Sequence, residues 1–132
     1  MTPRLLRAFR ATRYEAAGAV ARVGRRSRGI DSLLACVGAC EAAFITAWNP
    51  RSRRMPPGWN RRMQDRLRRA APGPPLAEGF GRAGRWAEHH LLLAGDPRRL
   101  LVLARRFRQH AILLVRRGRP ARLLAVQGDR VG

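Results

Sequence analysis

Hydrophobic positions recur along this chain at two spacings, a helical one and an alternating one, and their succession predicts helices interleaved with strands. Pro3 to Ala11 carries Leu5, Leu6 and Phe9 on one side of a helix, and Thr12 to Val23 reads as two short strands broken at Ala17 and Gly18. Beyond the basic loop Arg25 to Gly29, Asp31 or Ser32 is placed to cap a brief helix bearing Leu33, Leu34 and Val37 and ending near Gly38. Ala42 to Trp48 (AAFITAW) then stops at Asn49-Pro50, as a buried strand running into a turn does. Arg51 to Pro57 is a basic loop. Gly58 to about Ala70 is predicted as a helix with Trp59, Met63, Leu67 and Ala70 as its apolar face and Asp65 within reach of Arg61 or Arg69.

Leu76 to Phe80 and Glu88 to Ala94 read as two strands joined through the glycine-rich Gly79 to Arg85, which is expected to be a flexible turn. Asp96 followed by Pro97 marks the start of a helix whose Leu100, Leu103, Ala104 and Phe107 share one face, with Arg98, Arg99, Arg105 and Arg106 opposite. His110 to Val115 and Arg122 to Val126 are the last strands, with a hairpin connection over Arg117 to Pro120. The expected fold class is α+β: one domain over residues 12–127, with a mixed β-sheet covered by amphipathic helices, a helical extension over 1–11 and a loose tail over 128–132.

Composition adds a strong charge. The chain has 28 basic and 8 acidic residues, a formal net charge of +20, and every basic residue is Arg. Guanidinium groups attract phosphate and carboxylate, so an anionic small molecule and nucleic acid are both candidate partners. An Arg-only set beside abundant Ala, Gly and Pro is also what GC-rich codons produce, so net charge alone does not select between them. Cys36 and Cys40 are too close for a relaxed bridge if one helix carries both, which fits a reducing cytoplasm, and they are expected to be buried. The N-terminal residues hold no apolar core of a secretory signal. The apolar stretch Leu33 to Trp48 is interrupted by Glu41 and falls short of the roughly 20 residues a membrane span needs, so no membrane association is expected.

The run Phe44 to Met63, FITAWNPRSRRMPPGWNRRM, resembles the signature stretch of a bacterial family known as domain of unknown function 3293. Trp86 with Glu88, and Ala104-Arg105-Arg106-Phe107 followed by Gln109, Ala111 and Ile112, are similar to its second and third blocks. The chain departs from that pattern at Arg108 and His110 and at the pair His89-His90. The resemblance covers most of the chain from about residue 12 and draws attention to Asn49, Pro50 and Asn60. It brings no activity with it.

One constellation carries candidate chemistry. Asn49, Arg51 and Ser52 lie just past the predicted Ala42–Trp48 strand, and Asn60 lies close to the start of the next helix. Amide, hydroxyl and guanidinium donors in such a crevice suit an anionic ligand. The ordinary alternative is that Asn49 and Pro50 build a turn and Asn60 caps the helix. Gly79-Phe80-Gly81-Arg82-Ala83-Gly84 matches G-x-G-x-x-G by letter, but a strand follows it and no acid stands about 20 residues on, so no dinucleotide cofactor is implied. His89, His90, His110, Cys36 and Cys40 do not have the spacing of a zinc module, and no metal is expected; adjacent histidines on a strand point to opposite faces, and surface positions are expected for them. Glu88 with His89 or His110 offers an acid–base pair without a nucleophile or oxyanion donor. The leading expectation is a non-catalytic domain binding an anionic ligand. The alternatives are a nucleic-acid binder using its Arg-rich helix faces, with Trp48, Trp59 and Trp86 as stacking platforms, and an enzyme of unassigned reaction.

Overall fold

Three hairpins and one single strand are separated by three helices, and a fourth helix precedes them. In the computed structural model, which describes residues 1–126, the chain runs α1 (Pro3–Ala11), β1 (Arg13–Ala16), β2 (Ala19–Ala21), α2 (Arg28–Cys36), β3 (Glu41–Ile45), α3 (Pro57–Ala70), β4 (Ala77–Ala83), β5 (Trp86–Leu93), α4 (Pro97–Arg106), β6 (Ala111–Arg116) and β7 (Arg122–Ala125). The strands form one sheet in the order β2-β1-β4-β5-β3-β6-β7. The tail expected over 128–132 lies outside the described residues.

Every ladder is antiparallel, so the expected mixed sheet is corrected. The hairpins pair within themselves, the strands joined by a helix are never neighbours in the sheet, and the sole parallel contact among the described residues is an isolated bridge between Val23 and Ala121. That bridge joins the two edges of the sheet. Gly24 N–H donates to Ala121 O at 2.8 Å and Ala121 N–H donates to Arg25 O at 2.9 Å, so the sheet curls into a half-barrel.

Alternation along the strands separates two cores. On the inner face Tyr14, Ala21, Phe44, Leu92, Leu113 and Ala121 pack with Ile30 and Leu34 of α2 and with Phe9 of α1. On the outer face Ile45, Leu91, Leu93 and Ile112 pack with Leu67 of α3 and Leu100 and Leu103 of α4. Each wholly buried leucine contributes about 2 kcal/mol of transfer free energy. Pro97 opens α4 with Asp96 as its N-cap, whose side chain accepts from Arg98 N–H, as the sequence predicts.

Four local expectations change. The cap of α2 is Ser27, whose hydroxyl accepts from Ile30 N–H, because Asp31 is turned toward Arg26 and the Gly118 N–H. Asp65 pairs with Arg68 at 2.8 Å, one turn on, rather than with Arg61 or Arg69. The glycine-rich segment is a regular strand for most of its length: Gly79 and Gly81 sit inside β4, and only Gly84, at φ 56°, makes the turn. Cys36 and Cys40 are free and exposed, because the first ends α2 and the second lies in the connection to β3, both outside the core. Among the described residues no helix is long and apolar enough to cross a membrane.

Candidate functional site

A cavity of about 680 Å³ opens between α1, the inner face of the sheet and the loop that follows β3. Its floor is built by one row across three strands. Tyr14 pairs with Gly81, and Gly81 pairs with Glu88. Because Gly81 has no side chain, Tyr14 and Glu88 face each other across it. The His90 ring lies over the same gap, 2.8 Å from where a Cβ on Gly81 would stand. Trp86, Glu88 and His90 follow at every second residue of β5 and therefore share the inner face.

Aromatic groups surround this floor. The Tyr14 ring meets His90 edge-on at 5.4 Å and Phe44 at 5.7 Å, and Phe44 meets His90 at 6.4 Å. The His90 Nδ1 lies 3.0 Å from the Glu88 carbonyl oxygen. A carbonyl only accepts, so the proton sits on Nδ1. Burial pushes the imidazole down to about pKa 4 and keeps it neutral. Burial also lifts the Glu88 carboxyl to about 7, opposed by hydrogen bonds from Asn49 and Trp86. The Tyr14 phenol is raised beyond its usual range by the same burial and by the neighbouring Glu88.

Asn49 connects this floor to the outer layer. It is 5% exposed and sits in the left-handed region at φ 46°, a conformation asparagine tolerates better than most residues. Its Oδ1 accepts from Met55 N–H at 2.9 Å and from the Asn60 amide at 3.0 Å, which turns its own Nδ2 toward Glu88 Oε2 at 3.1 Å. Asn60, 3% exposed, accepts from Asn49 N–H at 3.0 Å. The two asparagines thus bind each other reciprocally. Asn60 is not a cap, since the N-cap of α3 is Pro56.

Of the four residues singled out from the sequence, Asn49, Arg51 and Ser52 line the cavity, while Asn60 stands behind Asn49 and holds it. Arg51 and Ser52 are exposed and also left-handed, at φ 54° and 62°. Such conformations cost on the order of 1–3 kcal/mol per non-glycine residue. The bond from Arg51 N–H to Arg108 O at 2.8 Å and the one from Ser52 N–H to Asn49 O at 2.9 Å hold the loop in place. Arg4 of α1 joins Arg51 in the cavity wall, and the Arg54 guanidinium lies 5.3 Å over the Trp86 ring.

The inward face of α3 is partly polar where Trp59, Met63, Leu67 and Ala70 were expected: Leu67 is buried, Met63 packs half-buried on the same core, Trp59 is half-buried and Ala70 is exposed. Its buried residues are Asn60, Gln64 and Leu67. Gln64 Oε1 accepts from Ala47 N–H at 2.7 Å, and its Nε2 donates to His89 O at 3.0 Å and to His89 Nδ1 at 3.1 Å. His89 then carries its proton on Nε2, 3.2 Å from Glu78. The adjacent histidines do serve opposite faces, but neither is a surface residue: His90 belongs to the cavity and His89 to an outer cluster with Phe80 and Trp48. Glu88 accordingly meets Tyr14 and His90 rather than His89, and His110 also lines the cavity. Trp48, Trp59 and Trp86 are all half-buried. Among the described residues no three His, Cys, Asp or Glu side chains are grouped to hold a metal.

Sequence reasoning missed Tyr14, Thr46 and Gln64. The every-second-residue spacing of Trp86, Glu88 and His90 is the signal that would have united those three, whereas Tyr14 joins them only through pairing of β1 with β4.

The family model described as "Protein of unknown function (DUF3293)" matches residues 45–112. The matched segment runs from the end of β3 to the start of β6 and includes Asn49, Asn60, Gln64, Trp86, Glu88 and His90. No curated protein and no solved structure matches the chain.

Proposed function

The chain belongs to the DUF3293 family of proteins of unknown function, and from its cavity we propose that it is a small non-catalytic domain that binds an organic anion. The observation that carries this reading is a cavity of about 680 Å³ with largely apolar and aromatic walls and Arg4 and Arg51 among its lining residues. That volume lies in the range of small-molecule pockets, which combine apolar walls with a few placed polar groups. The strained loop from Asn49 to Ser52 is held in the one place where it presents Arg51 and Ser52 to that space. Two exposed free thiols favour a reducing cytoplasm, and the resemblance implies a bacterial source.

Thermal denaturation of the full chain with short-chain carboxylates and organic phosphates tests this reading. Saturable stabilisation by one class is expected, lost in Arg51→Ala and in Ala111→Phe, which fills the cavity. Stabilisation that neither variant alters would place the anion elsewhere and end the proposal.

A second reading is supported by the outer layer. Arg61, Arg62, Arg66 and Arg69 on α3 and Arg98, Arg99, Arg105 and Arg106 on α4 are exposed, and both helices cover the same face of the sheet. Such a surface suits the backbone of a nucleic acid. Titration with labelled RNA and DNA from low to physiological salt separates selective binding from nonspecific attraction, which fades steeply with salt.

A further inference from the structure

Glu88 has charge-neutral partners, whereas four other acids of the described chain pair with arginine and the remaining two, Glu15 and Asp96, are exposed. Asp31 pairs with Arg26, Asp65 and Glu78 with Arg68, and Glu41 with Arg116. Those four pairs are exposed or half-exposed. Glu88, the acid on the cavity floor, accepts from the Asn49 side-chain amide at 3.1 Å, and among the described residues it forms no ion pair, in a chain with 28 arginines. The imidazole of His90, on the same floor, donates its Nδ1 proton to the Glu88 backbone carbonyl.

A half-buried carboxyl without a counter-ion is costly, and a cation delivered from the open side would compensate it. The open side is the cavity, which the rings of Tyr14, Phe44 and Trp86 help to line, Trp86 already carrying the Arg54 guanidinium over its ring. Aromatic faces attract cations, and rings combined with a carboxylate are the chemistry that recognises an ammonium group. Arg4 and Arg51 supply the opposite preference elsewhere in the same cavity lining.

We propose that the cavity is a zwitterion site: the ligand places an ammonium group against Glu88 among Tyr14, Phe44 and Trp86, and a carboxylate or phosphate against Arg4 and Arg51. This inference rests on the anion-binding reading above and adds the second charge. It also explains the Asn49–Asn60 clamp, which fixes the Glu88 carboxylate from behind while leaving it accessible from the cavity. Because the carboxyl is held near 7, an arriving ammonium displaces the proton that otherwise neutralises it.

Calorimetric titration of the full chain with two matched series of probes decides the matter: unbranched carboxylates from acetate to hexanoate, and the ω-amino carboxylates of the same lengths. At one chain length the amino compound is expected to bind at least about tenfold tighter than its unsubstituted partner, and Glu88→Gln is expected to bring that ratio close to one. The wild-type ratio is decisive even if the variant does not fold. Carboxylates that bind without gain from the amino group, or a preference that survives Glu88→Gln, overturn the zwitterion site while leaving the anion-binding reading in place. Failure of both series to bind at millimolar concentration overturns both.

Discussion

The side-chain nitrogen of Asn49 donates to Oε2 of Glu88 at 3.1 Å, and this bond joins the loop after β3 to the middle of β5. The direction of the bond is fixed from the far side, because Asn49 Oδ1 already accepts from Met55 N–H and from Asn60. One asparagine therefore sets the loop conformation, docks the first turn of α3 and orients the carboxyl at the floor of the cavity.

Removing that side chain leaves several buried groups without partners at once. Asn49→Ala is expected to cost about 2–4 kcal/mol, the sum of two or three unsatisfied polar groups. Asn49→Gly loses the same bonds but adopts φ 46° without strain, so it is expected to be less destabilising than alanine by up to about 1 kcal/mol. Urea denaturation of the three proteins measures both differences. Equal stability of the alanine variant and the parent would show that the clamp contributes nothing.

The glycines of β4 give a sharper contrast. A Cβ on Gly79 would stand 1.7 Å from the Glu15 carbonyl oxygen, and that atom is backbone. Gly79→Ala must therefore part β1 from β4, and a loss of more than about 3 kcal/mol is expected. Gly73, in the loop before β4, has nothing within 4 Å of the same position. Gly73→Ala is expected to fall within about 0.5 kcal/mol of the parent. Thermal melts of the two variants give the comparison directly, and similar melting temperatures would refute it.

These glycines also mark where the sequence was legible and where it was not. Local signals located α1, the break at Ala17-Gly18 and the Asp96-Pro97 start of α4, because each depends on residues a few positions apart. The glycines of β4 look like a turn by composition. What they serve is contact with strands far away in the chain, with β1 beneath Gly79 and the His90 ring over Gly81. The candidate site divides in the same way. Asn49, Arg51 and Ser52 were visible as a loop after a strand, but Tyr14 reaches Glu88 only through the β1–β4–β5 row, which no periodicity announces. On α3 the apolar spacing found Leu67 and Met63 on the packed side but not the buried Asn60 and Gln64 beside them. Backbone groups of Ala47 and His89 need partners under that helix, and Gln64 supplies them.

That role makes Gln64 a test of the polar contacts beneath the helix. Gln64→Leu fills the space but abandons the Ala47 N–H and the His89 carbonyl, and a loss of about 2–4 kcal/mol is expected. Met63→Leu, on the half-buried flank of the same helix, conserves volume and is expected to cost less than about 1.5 kcal/mol. Urea unfolding ranks the two. A greater loss at Met63 would mean that apolar packing, not the Gln64 hydrogen bonds, holds the helix to the sheet.

The pH dependence of stability follows from two neighbours on β5 whose shifts oppose each other. The Glu88 carboxyl is raised from 4.5 to about 7, so the folded chain holds an extra proton between those values, and this group makes stability fall as pH rises through that window. The His90 imidazole is lowered from 6.5 to about 4, so the unfolded chain holds the extra proton there, and this group makes stability rise with pH over 4 to 6.5. At roughly 1.4 kcal/mol per pKa unit, each excursion amounts to about 3 kcal/mol. Between about pH 4.5 and 6.5 the two slopes cancel in the parent protein. Glu88→Gln removes the falling term, and its stability relative to the parent is expected to increase as pH is raised from 4.5 to 7. His90→Phe removes the rising term while retaining an aromatic ring beside Tyr14, and its stability relative to the parent is expected to decrease as pH is raised from 4 to 6.5. Groups common to all three proteins, including the lowered His89 and Asp31, drop out of these differences. Urea denaturation at constant ionic strength over this range gives the three curves. If they run parallel, neither group changes its proton affinity on folding, and the cavity floor is wetter and less enclosed than its geometry implies.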